Sequence, residues 1–365
     1  MIITTTATVA AVLETIAGLV ELEVDIEGRL ERAIAFEELS GTPAVGDKVV
    51  LNVTAKELRL GSGGYHFVVS GGETAVAVDE IRGHLMKLRY TPMQRAALSV
   101  EEPKSPHHEV LRDADDLAGH PVVACGLHSQ LLPVAVMARA TAPTGRIAYI
   151  MTDGGALPAA FSRTVRWLHR EGYLASVISA GQAFGGDYEA VNLYSALLAA
   201  KLVIGADITI VGMGPGIAGT GTFLGHTGLE QGQIINAAAS LGGRPIAVLR
   251  LSQGDKRSRH QGLSHHSVSA LTRAALASSL VALPVLGGPL ADFGRLVSSS
   301  LESSGIIDGH EVRSFDAGPV IELLAEIESR GGPRASTMGR GIQEEPAFFL
   351  AAGAAGLAAA SIAGA

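Results

Sequence analysis

The sequence predicts an α/β protein in which a doubly wound, mostly parallel, Rossmann-like sheet of about seven strands follows a small antiparallel β-barrel. Three observations carry this. Apolar and polar residues alternate with period two up to residue 81; from His120 onward apolar runs are unbroken and separated by helical segments; the stretch between is charged and contains proline. The expected divisions are a barrel domain over 1–98, a connector over 99–119, the α/β domain over 120–343 and a packing helix over 344–365.

In the first region "LVELEVDIEG", "KVVLNVT", "YHFVVS" and "TAVAVDEI" alternate, and the turns Gly46-Asp47 and "GSGG" at 61–64 separate them. Short strands at close intervals specify a barrel or sandwich and require no helix. The opening "MIITTTATVAAVLETIAG" lacks the basic and then apolar regions of a secretory signal and reads as the first strand. "SVEEPKSPHHEVLRDADDLAG" reads as a connector or a short peripheral helix.

The later runs "PVVACG", "RIAYIM", "YLASVIS", "DITIVG", "PIAVLRL" and "LVALPVL" do not alternate, and "EVRSFD" is a candidate seventh. Strands buried on both faces and separated by amphipathic helices build βαβ units. The terminal "PAFFLAAGAAGLAAASIAGA" is uncharged for twenty residues, long enough to cross a bilayer. Its Ala and Gly drive insertion far less than Leu or Ile, and Glu344 and Glu345 stand where a positive anchor belongs. It therefore reads as a helix packed on the body or on a second subunit, compatible with a homodimer, and no membrane is expected.

A net charge of −8 opposes a phosphate backbone, so nucleic acid is not an expected partner. The single Cys125 excludes an intrachain disulfide and a CxxC zinc site, and fits a cytoplasmic protein. With 47% hydrophobic but only 4% aromatic residues, the core must be built from Ala, Val, Ile and Leu.

Ligands of doubly wound sheets lie outside the carboxyl ends of the strands. The loops there are "GLHSQ", "TDGG", "SAGQAFGGD", "TIVGMGPGIAGTGTFLGHTG" in its later part, "SQGDKRSRHQGLSHHS" and "GGPLAD", and they collect most of the domain's histidines. Gly214, Gly216 and Gly219 match GxGxxG, but the helix is expected only from a T-x-x-E capping box at Thr227 to Glu230, too late for a dinucleotide fingerprint. No acid follows "PIAVLRL", and no P-loop lysine lies between Lys201 and Lys256. Two readings remain: glycines that only permit close packing and turns with positive φ, or an anion-binding nest of backbone amides over Gly212, Gly214, Gly216, Gly219 and Gly221, with Thr220, Thr222 and His226.

The basic loop concentrates Lys256, Arg257, Arg259, His260, His265 and His266 in an acidic chain, a field that draws an anion. Lys256 and Arg257 are expected to be exposed. No recognised zinc spacing occurs, so no metal is expected; a three-ligand site would need His128, Asp153, Asp187 or His226 from another loop. Asp153 and His128 sit at strand tips, Cys125 reads as a buried apolar group, and neither G-x-S-x-G nor H-E-x-x-H is present.

Several blocks, "VGDKVVLNVTA", "LGSGGYHFVV", "GMGPGIAGTGTFLGHTG", "GLSHHS" and "STMGRGIQEEPAFFLAA", resemble an uncharacterised bacterial family, domain of unknown function 3866, along nearly the whole chain. The resemblance implies one continuous two-domain architecture and carries over no activity and no site residue.

The expected function is that of an enzyme, a hydrolase or group transferase, on a small anionic, phosphorylated or nucleotide-like metabolite. The glycine run would seat the anion with His128, Arg259 would neutralise it, His265 or His266 would act as acid or base, and Asp153 would orient the ligand. The alternatives are a non-catalytic metabolite sensor or assembly module, and a purely structural role. The residues specify no cofactor.

Overall fold

A computed structural model of the chain describes residues 2–16, 18–58, 63–71, 83–91, 93–155 and 157–364. Two compact units emerge, Met1–Leu98 and Ser99–Ala365.

The first unit holds a closed five-stranded barrel of β1 (Thr4–Ile16), β2 (Leu19–Ile26), β3 (Arg29–Phe36), β4 (Lys48–Asn52) and β5 (His66–Ser70), in the order β1-β2-β3-β5-β4. Alternation fills its interior with Ala7, Val9, Leu22, Val24, Val49 and Leu51. Closure depends on β1, which pairs with both β2 and β4 and bends through irregularities between Val9 and Ala11 and between Val12 and Glu14. At the Gly46-Asp47 turn, Gly46 has φ +95° and the Asp47 carboxylate accepts from the Ala44 amide at 2.8 Å. Two features depart from the purely antiparallel, helix-free expectation. The β3–β5 pair is parallel, and single helical turns α1 (Glu37–Ser40) and α2 (Thr54–Glu57) link the strands. Strands β6 (Leu85–Lys87) and β7 (Arg95–Ala97) form a separate antiparallel pair. The expected strand "TAVAVDEI" and the first two residues of "GSGG" lie outside the described residues.

In the second unit, α3 (His108–Leu111) falls within the charged segment after residue 98, which buries Leu111 and Leu117 in the core of this unit. The main sheet contains β8 (Pro121–Ala124), β9 (Ile147–Thr152), β10 (Ser176–Ala180), β11 (Tyr188–Ala190), β12 (Ile208–Met213) and β13 (Arg244–Val248). A hairpin of β14 (Leu251–Ser252) and β15 (Gly262–Leu263) precedes the last two sheet strands, β16 (Leu280–Pro284) and β17 (Glu311–Phe315). The sheet is parallel throughout, with order β11-β10-β9-β12-β8-β13-β16-β17. Each of the seven predicted runs supplies one strand. The eighth, β11, has three residues, too few to leave a pattern.

The helices are α4 (Leu131–Thr141), α5 (Arg163–Arg170), α6 (Leu193–Leu202), α7 (Glu230–Ser240), α8 (His265–Ser269), α9 (Ala291–Ser304), α10 (Ile306–Gly309), α11 (Pro319–Ser329) and α12 (Pro346–Ala363). Successive strand residues feed opposite cores, as a doubly wound sheet requires: Val123 packs with α4, α5, α11 and α12, whereas Val122 and Ala124 pack with α6, α7 and α9.

Helix α12 is apolar and long enough to span a membrane, but 72% of that span is buried inside the protein. Its small residues are used within the unit. A Cβ on Gly356 would lie 2.3 Å from the Val134 carbonyl oxygen of α4, and one on Gly353 would lie 2.9 Å from Val320 of α11. The close helix contact that suggested a dimer is thus an internal one. Gly356→Ala should push α12 off the α4 backbone and cost about 1–3 kcal/mol. A lowered Tm with unchanged secondary structure checks this; an unchanged Tm would show that the helices can part freely.

Candidate functional site

At the middle of the sheet's carboxyl edge, β8 continues into α4 on one face, while the neighbouring β12 leads to α7 on the other. Backbone groups freed where strands end and diverge must find partners. Two buried glutamines supply them. Gln130 accepts from the Gly126 and Leu127 amides and donates to Leu249 O, while Gln231 donates to Ala124 O and Val248 O, both at 2.8 Å. A small cavity remains here, lined by Gly126, Gln130, Gly228, Gln231, Arg250 and His266 among others.

Beyond β13 the β14–β15 hairpin returns the chain upon itself. Ser264 N donates to Arg250 O at 3.0 Å, and Arg250 N donates to Ser267 Oγ at 2.8 Å. Ser264 then caps α8 by accepting from His266 N, and α8 runs directly into a π-helical turn, Ala270–Ala274. The result is a cluster of four imidazoles. His226 and His266 stack at 3.7 Å and 6°, and the rings of His260 and His265 lie 4.8 Å apart, each within 4.8 Å of His266.

Burial is the main reason all four stay neutral, and nearby positive charge adds to it. It brings His226 down to about 4, His260 to about 3 and His266 to about 2, and it lowers His265 as well. Arg250 donates from Nη1 to His266 Nδ1 at 3.0 Å, which leaves the ring proton of a neutral His266 on Nε2. The Ser269 hydroxyl donates to His265 O at 2.8 Å, so His226 Nε2–H donates to Ser269 Oγ, also at 2.8 Å. In this tautomer Nδ1 of His226 carries the lone pair, and the Phe223 backbone bonds to the ring beside Ser269 and acts against its lowering. That Nδ1 and His265 Nε2 are buried, and neither meets a hydrogen-bond donor.

The glycine run reaches this cluster differently from the expected nest. Gly212 is buried inside β12, where a Cβ would lie 3.0 Å from that of Cys125, and Gly214 packs under Gly155. Gly216, with φ +114°, starts an exposed excursion. Thr220 N donates to Gly225 O, the Thr220 and Thr222 hydroxyls bond to each other, and Gly225 N donates to Thr222 Oγ1. These threonines and amides close the loop on itself, so they are not the open cradle foreseen. Gly219 lies against His226 and His266, and Gly221 (φ +82°) lies beside the exposed Arg259 guanidinium. The capping box does not form either, because Thr227 Oγ1 accepts from Ala218 N at 3.1 Å and α7 starts only at Glu230.

Other predicted residues stand apart from the imidazole cluster. Both nitrogens of His128 are engaged, Nδ1 donating to Met213 O at 3.1 Å and Nε2 accepting from Ser162 Oγ at 2.7 Å. Its role here is structural. Asp153 is exposed and ties down the loop after β10 by accepting from Gln182 N. Asp187 lies at the opposite edge, bonded to Ser176 Oγ and Val177 N. Cys125 is buried and its thiol is pushed up, which removes it as a nucleophile. Arg257, expected in solvent, instead forks onto the buried Asp255.

Two groups of interest were not candidate site residues in the sequence, where Glu230 figures only as the end of the capping box. Arg250, within the run "PIAVLRL", touches the cluster through His266. Glu230 turns toward Thr152 and Gly154; burial chiefly, with a smaller push from the charge of Asp153, raises it to about 7 against the lowering effect of the Thr152 hydroxyl. Nothing in the spacing of either residue signals this.

A sequence model of the family described as "Protein of unknown function (DUF3866)" matches residues 32–356. No curated protein matches the chain. Among solved structures, the chain is similar to the signal recognition particle 54 kDa protein from Aeropyrum pernix K1 in complex with GDP, at 14% identity and a TM-score of 0.31. That likeness spans 59% of this chain and 50% of the other.

Proposed function

The chain belongs to the DUF3866 family, and we propose from its own site that it is an enzyme, a hydrolase or group transferase, acting on a small anionic metabolite of phosphorylated or nucleotide-like kind. The observation that carries this reading is the pairing of opposite capacities in one cluster. His226 Nδ1 offers a buried lone pair, while the ring proton of His266 and the guanidinium of Arg259 are donors. A lone pair of this kind accepts the proton of an attacking water or hydroxyl, and the donors hold the anion on which charge develops. Asp153 has no part in this version of the site, and neither does His128.

Inorganic phosphate, titrated calorimetrically into the metal-free full chain, tests the binding half. Arg259→Ala should weaken phosphate by about tenfold, the loss of one charge-assisted contact. Equal affinity in the two proteins would overturn the reading. For turnover, a panel of phosphate monoesters and nucleotides is offered to the wild type and to His226→Ala. Loss of turnover with phosphate binding retained supports chemistry at His226, whereas binding without turnover in the wild type leaves a metabolite sensor.

A further inference from the structure

We propose that His226, His265 and His266 form a site for a divalent transition-metal ion of the zinc class. One ring nitrogen from each lies within 4.8 Å of the other two. Spacing along the chain hides this, because His226 arrives from the end of the glycine loop while the other two begin α8.

The orphaned nitrogens point to a cation. His226 is 7% exposed, and its Nδ1 lone pair has no donor; His265 Nε2 is also buried without a partner. A buried acceptor left unpaired carries a cost that a bound ion removes. The outward side of His226 is arranged as ligating histidines are, with Nε2–H donating to a fixed acceptor, Ser269 Oγ, so that Nδ1 is presented as the base. All-imidazole ligation selects zinc, cobalt, nickel or copper over magnesium or calcium, which take oxygen ligands. Three protein ligands leave a coordination position open, as catalytic sites do.

His266 is the ligand that must change: it lies flat on His226 at 3.7 Å and 6°, and because an imidazole lone pair lies in the ring plane, one of the two rings has to turn before both can reach one ion. Arg250 donates to its Nδ1, so ligation through Nδ1 meets an occupied lone pair, and ligation through Nε2 requires a proton on Nδ1 that would face the Arg250 N–H. Either way Arg250 must let go. The Asp255 carboxylate, 3.7 Å from Arg250 Nη2, is placed to receive it. Metal binding therefore transfers Arg250 from His266 toward Asp255, and Arg250 competes with the ion for this ring.

The inference shares its cluster with the anion-binding reading but does not depend on it, and separate substitutions distinguish the two. The chelator-treated full chain is titrated with Co2+ alone, following the visible d–d bands of tetrahedral cobalt, with Zn2+ as competitor. The expected result is a saturable band that Zn2+ abolishes and that is missing in His226→Ala. Ser269→Ala should weaken Co2+ by about 10- to 100-fold through the orienting contact, and it serves if His226→Ala does not fold. Arg250→Met should tighten Co2+, and Arg259→Ala should weaken phosphate without removing the cobalt band. Absence of the band in wild type, or a band untouched by both His226→Ala and Ser269→Ala, overturns the metal site. Phosphate binding without the cobalt band would leave the anion reading standing alone, and the converse would leave only the metal.

Discussion

Between neutral pH and about pH 4 the protein should lose much of its stability, because six histidines of the second unit, His265 among them, are held neutral when folded. His120 and His128 are lowered to about 4 and, with the site histidines His226 at about 4, His260 at about 3 and His266 at about 2, refuse protons that the unfolded chain accepts below about 6.5. Burial is the first cause in each. In that window the unfolded state binds more protons, so stability falls as pH falls. One histidine moved from 6.5 to about 4 corresponds to about 3 kcal/mol. The clustered rings share their mutual repulsion, so their contributions do not simply add; His120 and His128 stand apart from them, and each is a sizeable fraction of a folding free energy of about 5–15 kcal/mol. Glu230 works the other way: raised to about 7, it favours the folded state below about 4.5 and loses that advantage as pH rises through 7. It is one group against six. Asp255, held low chiefly by Arg257, adds its loss at still lower pH. Thermal unfolding followed from pH 7 down to about pH 4 checks this; a flat Tm across that range would mean the imidazoles protonate in place.

Glu345→Ala should be the most damaging single substitution beside the site, at about 3–5 kcal/mol, the cost of breaking a buried ion pair from one side. Glu345 is fully buried at the start of α12, and every bond its carboxylate makes is an acceptance. Oε1 takes Ser252 Oγ at 2.7 Å and Arg340 Nε at 2.5 Å, and Oε2 takes Gln253 N at 2.9 Å. Ser252 in turn accepts from Asp255 N, and Asp255 receives Arg257 and Arg340. The carboxylate thus anchors the basic loop that leads to the histidines. Glu345→Gln keeps the shape but replaces one acceptor with a donor, so an intermediate loss is expected. The check is Tm and phosphate affinity for both variants. Equal stability of wild type and Glu345→Ala would mean that the loop is held by its arginines alone.

The β-branched runs were legible because burial on two faces writes itself into consecutive residues, and β9 and β12 are buried at every position. The barrel strands were legible for the opposite reason, since a strand with one wet face must alternate. Short or mixed pieces escaped. β3 carries charges at Arg29, Glu31 and Arg32, β11 has three residues, and the β14–β15 hairpin has two on each side. That hairpin is the piece that brings α8 against Arg250.

From the sequence alone came the succession of strands and helices, and with it the carboxyl edge where histidines collect, because hydrophobic periodicity is a local consequence of burial. Which histidines meet was decided only by the fold. His128 and His226 look alike in the chain, each in a loop following a strand; one is locked between Met213 and Ser162, and the other stacks on His266. Ring contacts and orphaned lone pairs depend on how separate loops cross in space, and residue spacing carries no record of that.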